Sequence, residues 1–117
     1  MIDTQQRTPV TLPVTLEEIA AFCQRHSMRS LALFGSVLRN DFRPDSDVDI
    51  LVSFKPDARP SLFDLTKIEV ELSTMFGRDV DMVEREDIET SPNYIRRRNI
   101  LDSAVTIFST EATHAAR

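Results

Sequence analysis

Leu31-Ala-Leu-Phe-Gly35-Ser36 runs into Val37-Leu-Arg39-Asn40-Asp41-Phe-Arg-Pro44-Asp45, and then into Ser46-Asp47-Val48-Asp49-Ile50-Leu51-Val52-Ser-Phe54. A first apolar run stops at a glycine-serine pair, a polar segment follows, and a second apolar run opens on two aspartates. Ser30–Phe34 reads as a short buried strand broken by Gly35, Val37–Arg39 as one helical turn starting at Ser36, and Asp41–Ser46 as a loop. Val48–Phe54 reads as a second strand with Val48, Ile50 and Val52 toward a core. Side chains alternate along a strand, so Asp47 and Asp49 project from one face, about 7 Å apart at Cα. The connection is too short for a crossover helix, which predicts antiparallel pairing of the two strands.

The rest of the chain supplies what packs on those strands. Thr15 and Glu18 form a capping box, and Leu16, Ile19, Ala20 and Cys23 follow at helical spacing, predicting a helix over about 16–26. Cys23 belongs to its apolar face, and His26 lies at its end, where the helix dipole favours a cationic imidazole. Lys55 to Pro60 is a connection. Leu62, Leu65, Ile68, Glu69, Leu72, Met75 and Phe76 define a second helix, Glu69 its one polar inward position, with Ser61 as N-cap and Gly77 just past its end. Asp79-Val-Asp-Met-Val83 reads as an alternating strand with Asp79 and Asp81 on one face. Ser91-Pro92 opens a further helix in which Tyr94 is expected to be partly buried, while Arg96-Arg97-Arg98 reads either as a solvated face or as a candidate contact or phosphate patch. Val105–Phe108 would close the sheet.

This order predicts an α/β (α+β) fold, a small mixed β-sheet with helices packed on it. The expected organisation is a flexible N-terminal tail over 1–13, one domain over 14–108 and a flexible C-terminal tail over 109–117. The chain has 117 residues, 41% apolar and 28% charged, enough for one core. Its net charge of -5 disfavours a nucleic-acid partner held by electrostatics alone. One cysteine leaves no internal disulfide and no thiolate zinc cluster. With neither a signal-peptide-like apolar core nor an apolar run near the ~20 residues of a membrane span, the default expectation is a cytoplasmic protein that does not engage a membrane. An exposed edge on a small sheet is compatible with homo- or hetero-oligomers.

The paired aspartates suit a hard divalent cation, which binds one or two carboxylates together with phosphate oxygens. Their oxygens can converge on two ions at the spacing used for phosphoryl transfer, with a third carboxylate from an adjoining strand, which Asp81 offers. Gly35 permits close approach of backbone to a phosphate, the Ser36 hydroxyl can donate to one, and Arg39 can pair with one. Asp45, Asp47 and Asp49 match the opening of a calcium loop. Ile50 and Pro56 then stand where that loop needs glycine and glutamate. An aspartyl-nucleophile phosphatase would carry its pair at the end of a strand, whereas these begin one.

Taken together, Gly35-Ser36, Arg39, Ser46–Val52, the following helix and Val80-Asp81-Met82-Val83 resemble the minimal nucleotidyltransferase (MNT) family of the DNA polymerase beta-like superfamily, over about residues 16–108. The resemblance implies the polymerase beta-like nucleotidyltransferase fold. It further implies that Ser36 holds the terminal phosphates of ATP with Gly35 letting the backbone approach, and that Asp47 and Asp49 hold two magnesium ions. Asp81 would bind the catalytic metal and help deprotonate the acceptor, Asp79 being the weaker claimant because Asp81 has the family's flanking Val and Met-Val. Arg39-Asn40 stands where the family often has Arg-Gly. Little chain remains to build an acceptor pocket, so the acceptor should be another protein. Members of the family are commonly paired with helical HEPN toxins, on which they act as antitoxins by adenylylating a tyrosine. The alternative is a non-catalytic module that neutralises its partner by covering it.

Overall fold

The first helix, α1, spans Leu16–Arg25 because both ends of its sequence supply what a helix lacks. The Thr15 hydroxyl accepts from the Glu18 N–H at 3.1 Å, and the Glu18 carboxylate accepts from the Thr15 N–H at 2.8 Å. Ile19, Phe22 and Cys23 are buried along one face. Burial pushes the Cys23 thiol up to about 12, so it stays protonated and packs as a small apolar side chain. His26 ends the helix, stacks 4.7 Å from Phe22 and reaches Glu71 at 2.9 Å. Arg25 pairs with the same carboxylate.

The computed structural model describes residues 13–35 and 47–110. The N-terminal segment through residue 12, Ser36, Arg39, the expected turn and loop of 36–46, and the last seven residues lie outside the described residues. Within them follow β1 (Met28–Phe34), β2 (Val48–Phe54), α2 (Leu62–Phe76), β3 (Val80–Glu84), α3 (Arg85–Glu89), α4 (Tyr94–Ser103) and β4 (Val105–Ser109). The sheet order is β3-β2-β1-β4, with β1 antiparallel to β2 and β4, and β2 parallel to β3. The expected antiparallel pairing of the first two strands is observed. A parallel β2–β3 pair needs a crossover, and α2 is that crossover.

Alternation along the strands gives each face its own core. Leu31, Leu33, Val48, Ile50, Val52 and Val80 pack with α1 and α2. Ala32, Phe34 and Leu51 form a smaller cluster with Ile88 of α3 and Ile100 of α4. β1 starts two residues before the expected Ser30, with a bulge between Met28 and Ser30. β4 takes in Ser109, which pairs with Ser30, and Thr110 donates to the Arg29 carbonyl at 2.9 Å. Pairing with β1 therefore orders the chain past the point where a tail was expected.

α2 also explains its one polar inward residue. β3 is an edge strand, and its outer amides need acceptors. Glu69 Oε2 accepts from the Met82 N–H and the Ser73 hydroxyl from the Val80 N–H, both at 3.1 Å. At its ends α2 carries a Ser61–Asp64 capping box and Gly77 at φ +71°. Tyr94, expected to be partly buried, is 55% exposed. It lies in the first turn of α4, whose inward contact is made by Ile100, and its hydroxyl accepts from Arg98 at 3.1 Å.

Candidate active site

One row of residues crosses three strands. Phe34 on β1 pairs with Asp49 on β2, and Asp49 pairs with Asp81 on β3. The parallel register therefore sets two carboxylates side by side on the α3/α4 face, since Asp49 shares its face with Leu51 and Asp81 shares its face with Val83. The Val48 N–H donates to the Asp79 carbonyl at 2.9 Å and ties the two strands together where the carboxylates begin. Asp49 is half-buried; Asp47, just before β2, and Asp81 are exposed.

Gly35 follows Phe34 at the end of this row. Its φ is +77°, a backbone setting that a side chain disfavours. A methyl group on Gly35 would collide with the Asp49 Oδ2 atom and lie 3.1 Å from the Asp49 carboxyl carbon. The glycine is thus needed twice, for its conformation and for the close approach of Asp49 to the backbone.

Of the sequence-derived candidates, the structure gathers Gly35, Asp49 and Asp81; Asp47 lies two residues before Asp49, just outside β2, and does not line the groove. Ser36 and Arg39 lie outside the described residues. The two claimants for the third carboxylate separate. Asp81 lines an open groove of about 470 Å³ together with Asp49. Asp79 lines a different concavity, with Glu69, Ser73 and Arg78 of the α2 side. Asp79 precedes β3 just as Asp47 precedes β2, so the groove and not the strand boundary separates Asp81 from Asp79.

The opposite wall of the groove is α4, through Asn93, Ile95, Arg96, Asn99 and Ile100. Of these, the sequence marked only Arg96, within the Arg96–Arg98 run, as a candidate contact or phosphate patch; Asn93, Ile95, Asn99 and Ile100 were not singled out for the site. Asn93, Arg96 and Asn99 recur every three residues and so share a helical face, but their polarity reads equally as solvent exposure. Among the described residues, no three His, Cys, Asp or Glu side chains form a ready metal cage. The donor chemistry still fits magnesium, which takes hard oxygen ligands and keeps waters or phosphate oxygens in its other positions.

Residues 16–106 match the nucleotidyltransferase domain family. The chain belongs to that family. Among its relatives is the protein adenylyltransferase MntA of Thermococcus cleftensis, 34% identical over 85 residues, covering 66% of this chain and 84% of that protein. A solved structure described provisionally as a minimal nucleotidyltransferase is 32% identical, with a TM-score of 0.58, covering 77% of this chain and 86% of its own. The fold also matches a chain in the complex of a tri-AMPylated Shewanella oneidensis HEPN toxin with an MNT antitoxin. There the identity is 16% and the TM-score 0.57, covering 86% of this chain and 75% of that one. The protein is a nucleotidyltransferase with a polymerase beta-like fold, as the sequence led us to expect. Among the described residues, no helix is long and apolar enough to cross a membrane.

Proposed function

We propose that this nucleotidyltransferase is a magnesium-dependent protein adenylyltransferase. In this reading it acts as an antitoxin, transferring AMP from ATP to a tyrosine hydroxyl of a HEPN toxin. The observation that carries the proposal is the cross-strand pair of Asp49 and Asp81 with Gly35 folded against Asp49. The acceptor assignment rests on the relatives, one named as a protein adenylyltransferase and one an MNT antitoxin bound to an AMPylated HEPN toxin.

Asp47, Asp49 and Asp81 would hold magnesium, which when bound neutralises charge on the attacking and leaving oxygens. Gly35 leaves room for the Asp49 carboxylate beside the backbone, and Ser36 and Arg39 would donate to the terminal phosphate groups. Asp81, exposed on the groove side, would take the proton of the incoming hydroxyl. The hydroxyl oxygen bonds to the α-phosphorus, the bond to the β-phosphate bridging oxygen breaks, and pyrophosphate leaves. Catalysis is then mainly positioning and electrostatics, which suits a small domain that receives its acceptor from outside.

Intact-mass spectrometry of the toxin after incubation with this protein, ATP and magnesium should show one or more added AMP groups. Asp47→Asn removes a ligand charge at an exposed position and should lower the transfer rate by roughly 100-fold or more while the melting temperature holds. A toxin that is inhibited yet unmodified sinks the enzymatic reading and leaves inhibition by complex formation. Full activity in the Asp47→Asn protein rejects the site assignment.

A further inference from the structure

α4 inverts the sign of the chain. Tyr94–Ser103 carries three arginines and one aspartate, a net charge of +2, in a protein of net charge -5. Arg96-Arg97-Arg98 is its only run of three basic residues. The three have different occupations. Arg97 donates from Nη1 to the Ser91 carbonyl at 2.9 Å and sits 5.3 Å over the Tyr94 ring. Arg98 holds Asp102 at 3.3 Å and the Tyr94 hydroxyl at 3.1 Å. Both brace the helix.

Arg96 differs. Its backbone N–H is capped by the Asn93 side chain at 3.1 Å, which fixes the turn, but its guanidinium makes no hydrogen bond or ion pair among the described residues. It nevertheless lines the groove that Asp49 and Asp81 line from the sheet side. It is therefore not their counter-ion. An arginine lining the same open groove as a carboxylate pair matches what a polyphosphate needs from its second wall, because the guanidinium's fork of donors binds two phosphoryl oxygens at once. Asn99, one turn further along the same face, adds a neutral donor.

We propose that Arg96 is a nucleotide-contacting residue, holding phosphoryl oxygens of the nucleoside triphosphate from α4, across the groove from the carboxylates. The inference rests on the nucleotidyl-transfer reading of the site, but not on the identity of the acceptor. It also assigns α4 a purpose beyond covering the sheet, since the nucleotide would lie between Arg96 and the Asp49–Asp81 pair.

Calorimetric titration of magnesium-ATP into the full chain tests this without any acceptor. Arg96→Ala should weaken the affinity about tenfold or more, Arg96→Lys by less, and Arg97→Ala little, with the melting temperature of the Arg96 variants unchanged. Parent-like affinity in Arg96→Ala overturns the inference. So does a loss of affinity that comes with a matching loss of thermal stability, which would make Arg96 structural. A parent protein that binds magnesium-ATP, depends on Arg96 and yet leaves the toxin unmodified rejects the acceptor assignment alone. A parent that binds no magnesium-ATP rejects both.

Discussion

The two faces of the sheet are built differently. The face under α1 and α2 is closed. Both helices begin with capping boxes, α2 runs for 15 residues, and Ile19, Leu31, Leu33, Ile50 and Leu72 have no exposed surface. The face under α3 and α4 is half-open. α3 has five residues and one buried side chain, Ile88, and α4 buries only Ile100. Beside this smaller cluster the sheet carries Asp49 and Asp81 instead of apolar residues. One face therefore supplies cohesion, while the other forgoes apolar burial where Asp49 and Asp81 line an open groove.

The largest expected break in that division is Leu72→Ala. Deleting a fully buried leucine on the closed face should cost about 2–5 kcal/mol of stability, read from a urea titration. Well below its melting point, the variant should still bind magnesium-ATP like the parent. If affinity falls while the protein is folded, the two faces are coupled and the comparison fails.

The glycines sharpen the same contrast. Gly35 and Gly77 both have φ above +70°, so alanine strains either one. Only at Gly35 does the added carbon meet anything, and what it meets is the Asp49 carboxylate; at Gly77 the space is empty. Gly35→Ala should lower the AMP-transfer rate by roughly 100-fold, since displacing a reacting group by about 1 Å is that costly. Gly77→Ala should cost about 1 kcal/mol of stability and leave the rate unchanged. Equal effects of the two on rate would mean that the Gly35 contact has no catalytic consequence.

The closed face was the more legible in the sequence, for a physical reason. Its helices advertise themselves locally, through Thr15 and Glu18, Ser61 and Gly77, and the 3–4 spacing from Leu62 to Phe76. The Asp47–Asp49 alternation was equally local, and so was the Gly35 break. What escaped depends on contacts between distant segments. α3 holds one apolar side chain, Ile88, and is stabilised by the pocket that Ala32, Phe34, Leu51 and Ile100 make for it. The polarity of Glu69 looked like an exception until the edge amide of Met82 accounted for it. Asp79 and Asp81 were indistinguishable by alternation, and the groove that takes in Asp81 but not Asp79 separated them. Arg96 lay inside a run that reads as a solvated face or a phosphate patch, and only the groove it shares with Asp49 distinguishes it from Arg97 and Arg98.

The smallest effect tests whether the half-open face tolerates electrostatic conflict as well as polarity. Glu84 ends β3 and precedes α3 without making a side-chain cap. Burial first, and then the neighbouring Asp87 and Glu86 carboxylates, raise its pKa above the ordinary 4.5. Between 4.5 and the raised value the folded protein holds more protons than the unfolded chain, so stability falls as pH rises through that window. The penalty is complete above the folded pKa and absent below 4.5. Glu84→Gln should therefore melt slightly higher than the parent at about pH 7 and alongside it at about pH 4. Melting curves of both proteins at the two pH values decide the point. A gain that is the same at both would come from packing or capping, and the cost assigned here to the crowded carboxylates would have to be withdrawn.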